Sequence, residues 1–317
     1  MMSTLITALD EYLSLRRRLG FKLEKEGRTL PKYVSFLGEH GKSYITTDLA
    51  VRWASNPPRE GSPAQVGRRL SMVRLFAEYI SATDPRNEVP SKTLLPGRFH
   101  RKPPFLYTDE QVVRLLKAAR QLPSKCRPAQ NLRARTYSTL LGLLSVTGMR
   151  IGEIIALDRD DVDFDQGVLP IRGAKFGKSR LVPLHPTAQR VLRQYADSRD
   201  RSYPRPQTQA FFVSARGVRM LASAVRFTFN RLSRKTGLRG PSDRYGPRLH
   251  DFRHRFATRA LLRWYQDGAD VEKHILELST FLGHVNVSNT YWYLTAVPEL
   301  LQLAAARADS VRGGVWS

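Results

Sequence analysis

Cysteine is almost missing from this chain. Cys126 stands alone, so no disulfide can close within the chain, and the usage suits a reducing cytoplasm. Long apolar runs are missing too. No stretch of about 18 apolar residues occurs, and the opening MMSTLITALDEYLSLRRRLG sets acids and arginines inside its apolar pattern. Neither a membrane span nor a signal peptide is expected. The third scarcity is negative charge: 28 Asp plus Glu face 52 Lys plus Arg, a formal net charge of +24. Such a surplus attracts a polyanion and speeds its capture. Nucleic acid is the natural partner, and a membrane surface fits worse because no amphipathic basic anchor stands out. Charge alone does not separate an enzyme from a passive binder. Internal repeats and low-complexity tracts are also lacking.

What is present is a globular composition, 41% hydrophobic over 317 residues, enough for two domains and a sizeable core. Leu5, Leu9, Tyr12 and Leu13 recur at helical spacing, as do Leu70, Val73, Phe76, Ala77 and Ile80 in VGRRLSMVRLFAEYI. Those stripes face the core of a small helical domain, expected over residues 1–95. Arg68, Arg69 and Arg74 lie off the stripe, where they meet either solvent or phosphate. DPRNEVPSKTLLPGRFHRKPPF is rich in proline and basic residues without helical period, and a linker is placed at 96–105. A second domain then opens at YTDEQVVRLLKAAR. Thr108 is its expected N-cap with Gln111 three residues on, and Val112, Leu115, Leu116 and Ala119 form one apolar face. This domain, residues 106–296, is expected to be mostly helical. Its one β region is VDFDQGVLPIRGAKFGKSRLVPL, where short β-rich runs alternate with turns. The fold class is mainly α with a small antiparallel β-sheet in the second domain (α+β).

Four stretches carry chemistry. In SVTGMRIGEIIALDRDDVDFD, Arg150 enters an apolar helix and Glu153 follows one turn later, where the two can pair. An arginine among apolar neighbours needs such a partner or an anionic ligand, and this stretch alone fits either. In RLHDFRHRFATRAL, His250 and Arg253 share a helical face, so one can handle a proton while the other grips an anion. His250 and His254 also have zinc spacing, but Asp251 stands where the metalloprotease motif needs Glu and no other ligand set accompanies them; no metal is expected. RGAKFGKSRLVPL imitates a phosphate loop, yet only three residues separate Gly173 from Gly177 where four are required. Lys175 there is either a mobile ammonium in reach of a phosphate oxygen or a solvated turn lysine. Finally, LGHVNVSNTYWYL holds Tyr291 and Tyr293. Two residues on a helix turn a side chain by about 200°, so both cannot face one pocket.

In this order and spacing, TGMRIGE, GAKFGKSRLVPL, LHDFRH, LGH and the following tyrosine resemble the tyrosine site-specific recombinases, or phage-type integrases, over residues 106–296. The N-terminal segment resembles that family's helical, SAM-like core-binding domain more loosely, through LSMVRLFAEYISATDPRNEVP. The resemblance implies a two-domain clamp around double-stranded DNA. It implies a catalytic set of Arg150, Lys175, His250, Arg253, His284 and Tyr293. Tyr293 is the nucleophile because it falls nine residues after His284, and Tyr291, at seven, is then a packing residue. Glu153 supports Arg150, and Arg68, Arg69, Arg74 and Lys178 are further DNA contacts.

The implied reaction cleaves and rejoins DNA through a 3′-phosphotyrosine without metal, ATP or other cofactor. It serves integration, excision or resolution of a mobile element in the cytoplasm. The implied assembly is a homotetramer on paired sites, with or without related recombinases. Residues 297–317 form a tail that either passes to a neighbouring protomer or caps its own domain. Two departures from the family pattern stand out. Ala174 and Phe176 replace the usual glycines around Lys175, which keeps Lys178 open as the alternative lysine, and WYQDGADVEKHILEL lengthens the stretch before LGH. Competing readings are a type IB topoisomerase that relaxes DNA and a catalytically silent DNA-binding accessory protein.

Overall fold

The structure is a computed structural model that describes residues 2–56, 63–94, 104–124, 131–172, 179–243 and 245–313. The chain divides into two compact units, Met1–Lys102 and Pro103–Ser317.

Among the described residues, the first unit holds four helices: α1 (Met2–Arg18), α2 (Glu26–Glu39), α3 (Thr47–Ser55) and α4 (Pro63–Ile80). The stripes read from the sequence meet in its core, where Leu9, Leu30, Leu37, Val73 and Phe76 are buried around Tyr33 and Trp53. Thr46 caps α3 by accepting from Leu49 N at 3.4 Å. The arginines of α4 divide their work. Arg69 lies 3.6 Å above the Trp53 ring and donates to Trp53 O at 2.6 Å, tying α3 to α4. Arg74 donates to Pro90 O and Ser91 O at 2.7 and 3.0 Å, anchoring the chain beyond α4. Arg68 stays exposed.

The second unit begins with α5 (Asp109–Arg120), whose capping box is the expected one: Thr108 Oγ1 accepts from Gln111 N and Gln111 Oε1 from Thr108 N. Next comes α6 (Leu132–Thr147), buried nearly all round and packed on by α5, by α8 (Pro186–Ser202) and by α10 (Asp251–Gln266). A short α7 (Ile151–Ala156) leads to the sheet, in which β1 (Val168–Ile171) pairs antiparallel with β2 (Arg180–Pro183). Leu169 faces Val182, both buried, and Ile171 faces Arg180. Among the described residues, the other α-helices are α9 (Ala222–Lys235), α11 (Val271–Leu282), α12 (Ser288–Ala296) and α13 (Pro298–Gly313).

Two apolar clusters fill this unit. The larger surrounds α6 with Phe211, Phe212, Phe229 and Phe252. The smaller joins α10 to α13 through Leu261, Ile275, Leu278, Leu282, Tyr293 and Leu300. Residues of WYQDGADVEKHILEL form the end of α10, a turn at Gly268 (φ +68°) and the start of α11, which Asp270 caps. Along the tail, Leu300 is fully buried against this unit and Arg307 donates to Ala269 O at 2.7 Å. Among the described residues, no helix is long and apolar enough to cross a membrane.

Candidate active site

The site grows from three chain ends. Helix α6 stops at Gly148, which takes the left-handed conformation (φ +59°) open to glycine. A side chain there would also collide with Phe256, since a Cβ would lie 2.8 Å from its ring. The chain then turns through extended Arg150 into α7. Glu153 reaches back one turn, its Oε2 accepting from Arg150 N at 2.9 Å and its Oε1 from Arg150 Nη1 at 2.8 Å. From β2, Arg180 meets the same carboxylate with Nη1 at 3.1 Å and Nη2 at 2.8 Å.

The third end is that of α11. A helix leaves its last carbonyls without intrahelical partners and carries partial negative charge there. Three arginines satisfy three successive ones: Arg180 Nε donates to Phe281 O (2.7 Å), Arg253 Nη2 to Leu282 O (2.5 Å) and Arg150 Nη2 to Gly283 O (2.9 Å). Arg253, on α10, also donates to Gly148 O at 3.0 Å. Arg150 and Arg253, far apart in the sequence, thus hang from adjacent carbonyls.

Three guanidiniums facing one carboxylate leave a surplus of positive charge. Burial would raise the Glu153 pKa, but hydrogen bonds from Arg180 and Arg150 and the charge of Arg180 prevail and hold it at about 2. Arg253 is 1% exposed. Burial, then the like charge of Arg150, lower its pKa to about 10, against the opposing pull of Tyr293 and Glu153. It still carries its proton at neutral pH.

The two tyrosines part as helical geometry requires. Tyr291 is 43% exposed and Tyr293 only 1%. The Tyr293 hydroxyl lies 3.1 Å from His254 Nδ1. His250, exposed at the start of α10, sets its ring edge-on to His254 at 4.7 Å. The His284 ring lies nearly parallel to Tyr293 at 6.4 Å, with its Nδ1 2.7 Å from Thr290 Oγ1, a fully buried hydroxyl. Arg150, Glu153, His250, Arg253, His284 and Tyr293 therefore gather around the ends of α6, α10 and α11. Lys175 and Lys178 lie outside the described residues, in the segment that joins β1 to β2.

Two participants escaped the sequence reading. Arg180 shares with Val182 the inward face of β2, and an arginine on a strand's buried face is a signal in itself. His254 drew notice only for zinc spacing, which says nothing of a tyrosine 39 residues away.

A family model described as the phage integrase family matches residues 106–299. The integrase/recombinase y4rB of Sinorhizobium fredii is 47% identical over 310 residues, covering 97% of this chain and 98% of that one. The tyrosine recombinase XerC of Chlamydia muridarum is 31% identical over 279 residues, 86% of this chain and 82% of the relative. Among solved structures, the Tn1549 transposon integrase in complex with circular intermediate DNA superposes with a TM-score of 0.65. That match covers 97% of this chain and 99% of that one at 16% identity, a likeness of fold.

Proposed function

The chain belongs to the phage integrase family, the tyrosine recombinases, and from that premise we propose that it cleaves and rejoins double-stranded DNA with Tyr293 as nucleophile. One observation carries the assignment of the site: Tyr293 is buried with its hydroxyl 3.1 Å from His254 Nδ1, the neighbour on α10 of Arg253, the arginine that shares the α11 end with Arg150.

Cleaving a phosphodiester requires an oxygen nucleophile, neutralisation of the phosphate and a proton for the leaving group. Arg150 and Arg253 supply planar donors for the two non-bridging oxygens and stabilise the charge that builds on them in the transition state. The Tyr293 oxygen attacks phosphorus in line as its proton passes to the histidine side of the pocket, where His250 assists. The P–O5′ bond breaks, and Lys175 protonates the departing 5′-oxygen. The products are a 3′-phosphotyrosine and a free 5′-hydroxyl. His284 donates to the phosphate, and Glu153 aims Arg150. Because the tyrosyl ester conserves the phosphodiester, a 5′-hydroxyl from another duplex reverses the attack and completes strand exchange.

The partner is double-stranded DNA, engaged also through exposed Arg68 and through Lys178, while Arg69 and Arg74, read from the sequence as further DNA contacts, bond within the first unit instead. The working assembly is a homotetramer on paired sites, joined in some settings by related recombinases. The setting is the movement of a mobile element by integration, excision or resolution, in the cytoplasm. The integrase and recombinase names of the relatives support this reading.

The test uses nicked duplexes cut from DNA flanking the gene and looks for an SDS-resistant protein–DNA adduct. The expected result is an adduct with wild type and Tyr291→Phe and none with Tyr293→Phe. Loss with Tyr291→Phe alone would overturn the choice of nucleophile. Tight, selective binding without any adduct would favour an accessory protein. Relaxation of supercoiled DNA without paired sites would favour a topoisomerase.

A further inference from the structure

Arg180 opens β2 with its side chain 10% exposed. Its two terminal nitrogens each meet a different oxygen of Glu153, and its Nε meets Phe281 O. Parallel N–H···O bonds between a guanidinium and a carboxylate fix the plane of both groups. Gly283 walls the far side: a Cβ there would stand 2.8 Å from Arg180 Nη1.

These contacts close a ring. Arg180 holds Glu153, Glu153 holds Arg150 by both backbone and side chain, Arg150 holds Gly283 O, and two peptide units lead back to Phe281 O and Arg180. We infer that Arg180 is a positioning residue for DNA cleavage: by locking the Glu153 carboxylate to the end of α11, it sets the direction in which Arg150 meets the scissile phosphate. The inference rests on the recombinase reading above.

The alternatives for Arg180 are weaker. Unlike Arg150 and Arg253, which bond within the protein through Nη1 and Nη2, Arg180 engages its Nε as well and lays both terminal nitrogens on the one carboxylate, so its guanidinium is committed to Glu153 rather than to the phosphate. Nor is it a simple charge balance for Glu153, since Arg150 already pairs with that carboxylate. What Arg180 adds is the second constraint on the carboxylate plane. With Arg150 alone, Glu153 can turn about its side-chain bonds and take Arg150 with it. Arg180 also fastens β2 to the end of α11, so the same ring ties that strand to the arginine pair. Lysine cannot reproduce this arrangement, because a single ammonium does not bridge two carboxylate oxygens and a carbonyl in one plane.

The test compares wild type with Arg180→Gln and Arg180→Lys in the full chain by two routes. The first follows the Glu153 carboxyl by ¹³C NMR titration of the DNA-free protein. Its midpoint is expected to rise in Arg180→Gln and to return part of the way in Arg180→Lys. The second measures the rate of adduct formation at saturating nicked duplex against pH, with DNA affinity from mobility shifts. A misdirected Arg150 should slow Arg180→Gln on the order of 100-fold, more severely on the acid side, while affinity stays close to that of wild type. Arg180→Lys should recover part of the rate. An unmoved Glu153 midpoint would overturn the inference, as would a rate loss that is equal at every pH and matched by loss of affinity. A wild type that forms no adduct would sink the recombinase reading instead, and the carboxyl titration would then decide the Arg180 question alone.

Discussion

Replacing Glu153 by glutamine removes the one negative charge among three arginines and leaves the shape nearly unchanged. The side chain is 8% exposed, its partners Arg180 and Arg150 10% and 30%. Its pKa falls from 4.5 to about 2 on folding. At about 1.4 kcal/mol per unit, that shift corresponds to roughly 3 kcal/mol of stability at neutral pH. The carboxamide keeps one acceptor oxygen, so about 3 kcal/mol is a ceiling, and about 2 kcal/mol is a fair expectation. For a unit of this size each kcal/mol moves Tm by about 2–4 °C, so a drop of about 4–12 °C is expected. Calorimetry on the full chain should show the transition of the second unit moving and that of the first staying fixed. The sign of the pH dependence is set by the depressed pKa. Above about 4.5 both folded and unfolded chains carry the charge, and the contribution is complete. As pH falls below that value the unfolded chain takes up the proton first, and the contribution is lost on the way down to about 2. The gap between wild type and Glu153→Gln should therefore be constant from pH 7 to about 5.5 and narrow steadily below. A Tm within about 2 °C of wild type at pH 7, or a gap that stays open at pH 3, would refute the reasoning.

Gly283→Ala forces a side chain into a left-handed position (φ +66°) and against an Arg180 guanidinium that Glu153 already holds. A loss of about 1–2 kcal/mol is expected from denaturant titration, whereas Gly152→Ala, helical and with nothing within 4 Å of the new methyl, should be neutral or gain up to about 1 kcal/mol. In the first unit, Arg69→Ala should cost roughly 1–2 kcal/mol in the melt of that unit, through the lost Trp53 contacts. Exposed Arg68→Ala should leave stability unchanged and reduce the slope of log affinity against log salt by about 1. An unaltered salt slope would remove Arg68 from the phosphate contacts.

Local order along the chain sufficed for much of this protein. Apolar residues at helical spacing bury together because the α-helix has a fixed period, so the cores around Phe76 and Leu115 were legible, as was the cap at Thr108. The separation of Tyr291 from Tyr293 follows from the same period, and the resemblance chose Tyr293; the fold turns Tyr293 inward but leaves Tyr291, expected to pack, exposed. The sequence of boxes from TGMRIGE to LGH was enough to name the family, because each box keeps its own residues close together. What the tertiary structure alone decided is how the boxes meet. Nothing local distinguished Arg69 and Arg74, which bond to backbone carbonyls, from exposed Arg68 on the same helix. Nothing local placed three arginines on the end of α11, since Arg253 reaches its carbonyl across 29 residues, Arg180 across 101 and Arg150 across 133. Such bonds depend on where a helix stops and which carbonyls it leaves unpaired there, and packing, not periodicity, decides which side chains arrive to meet them.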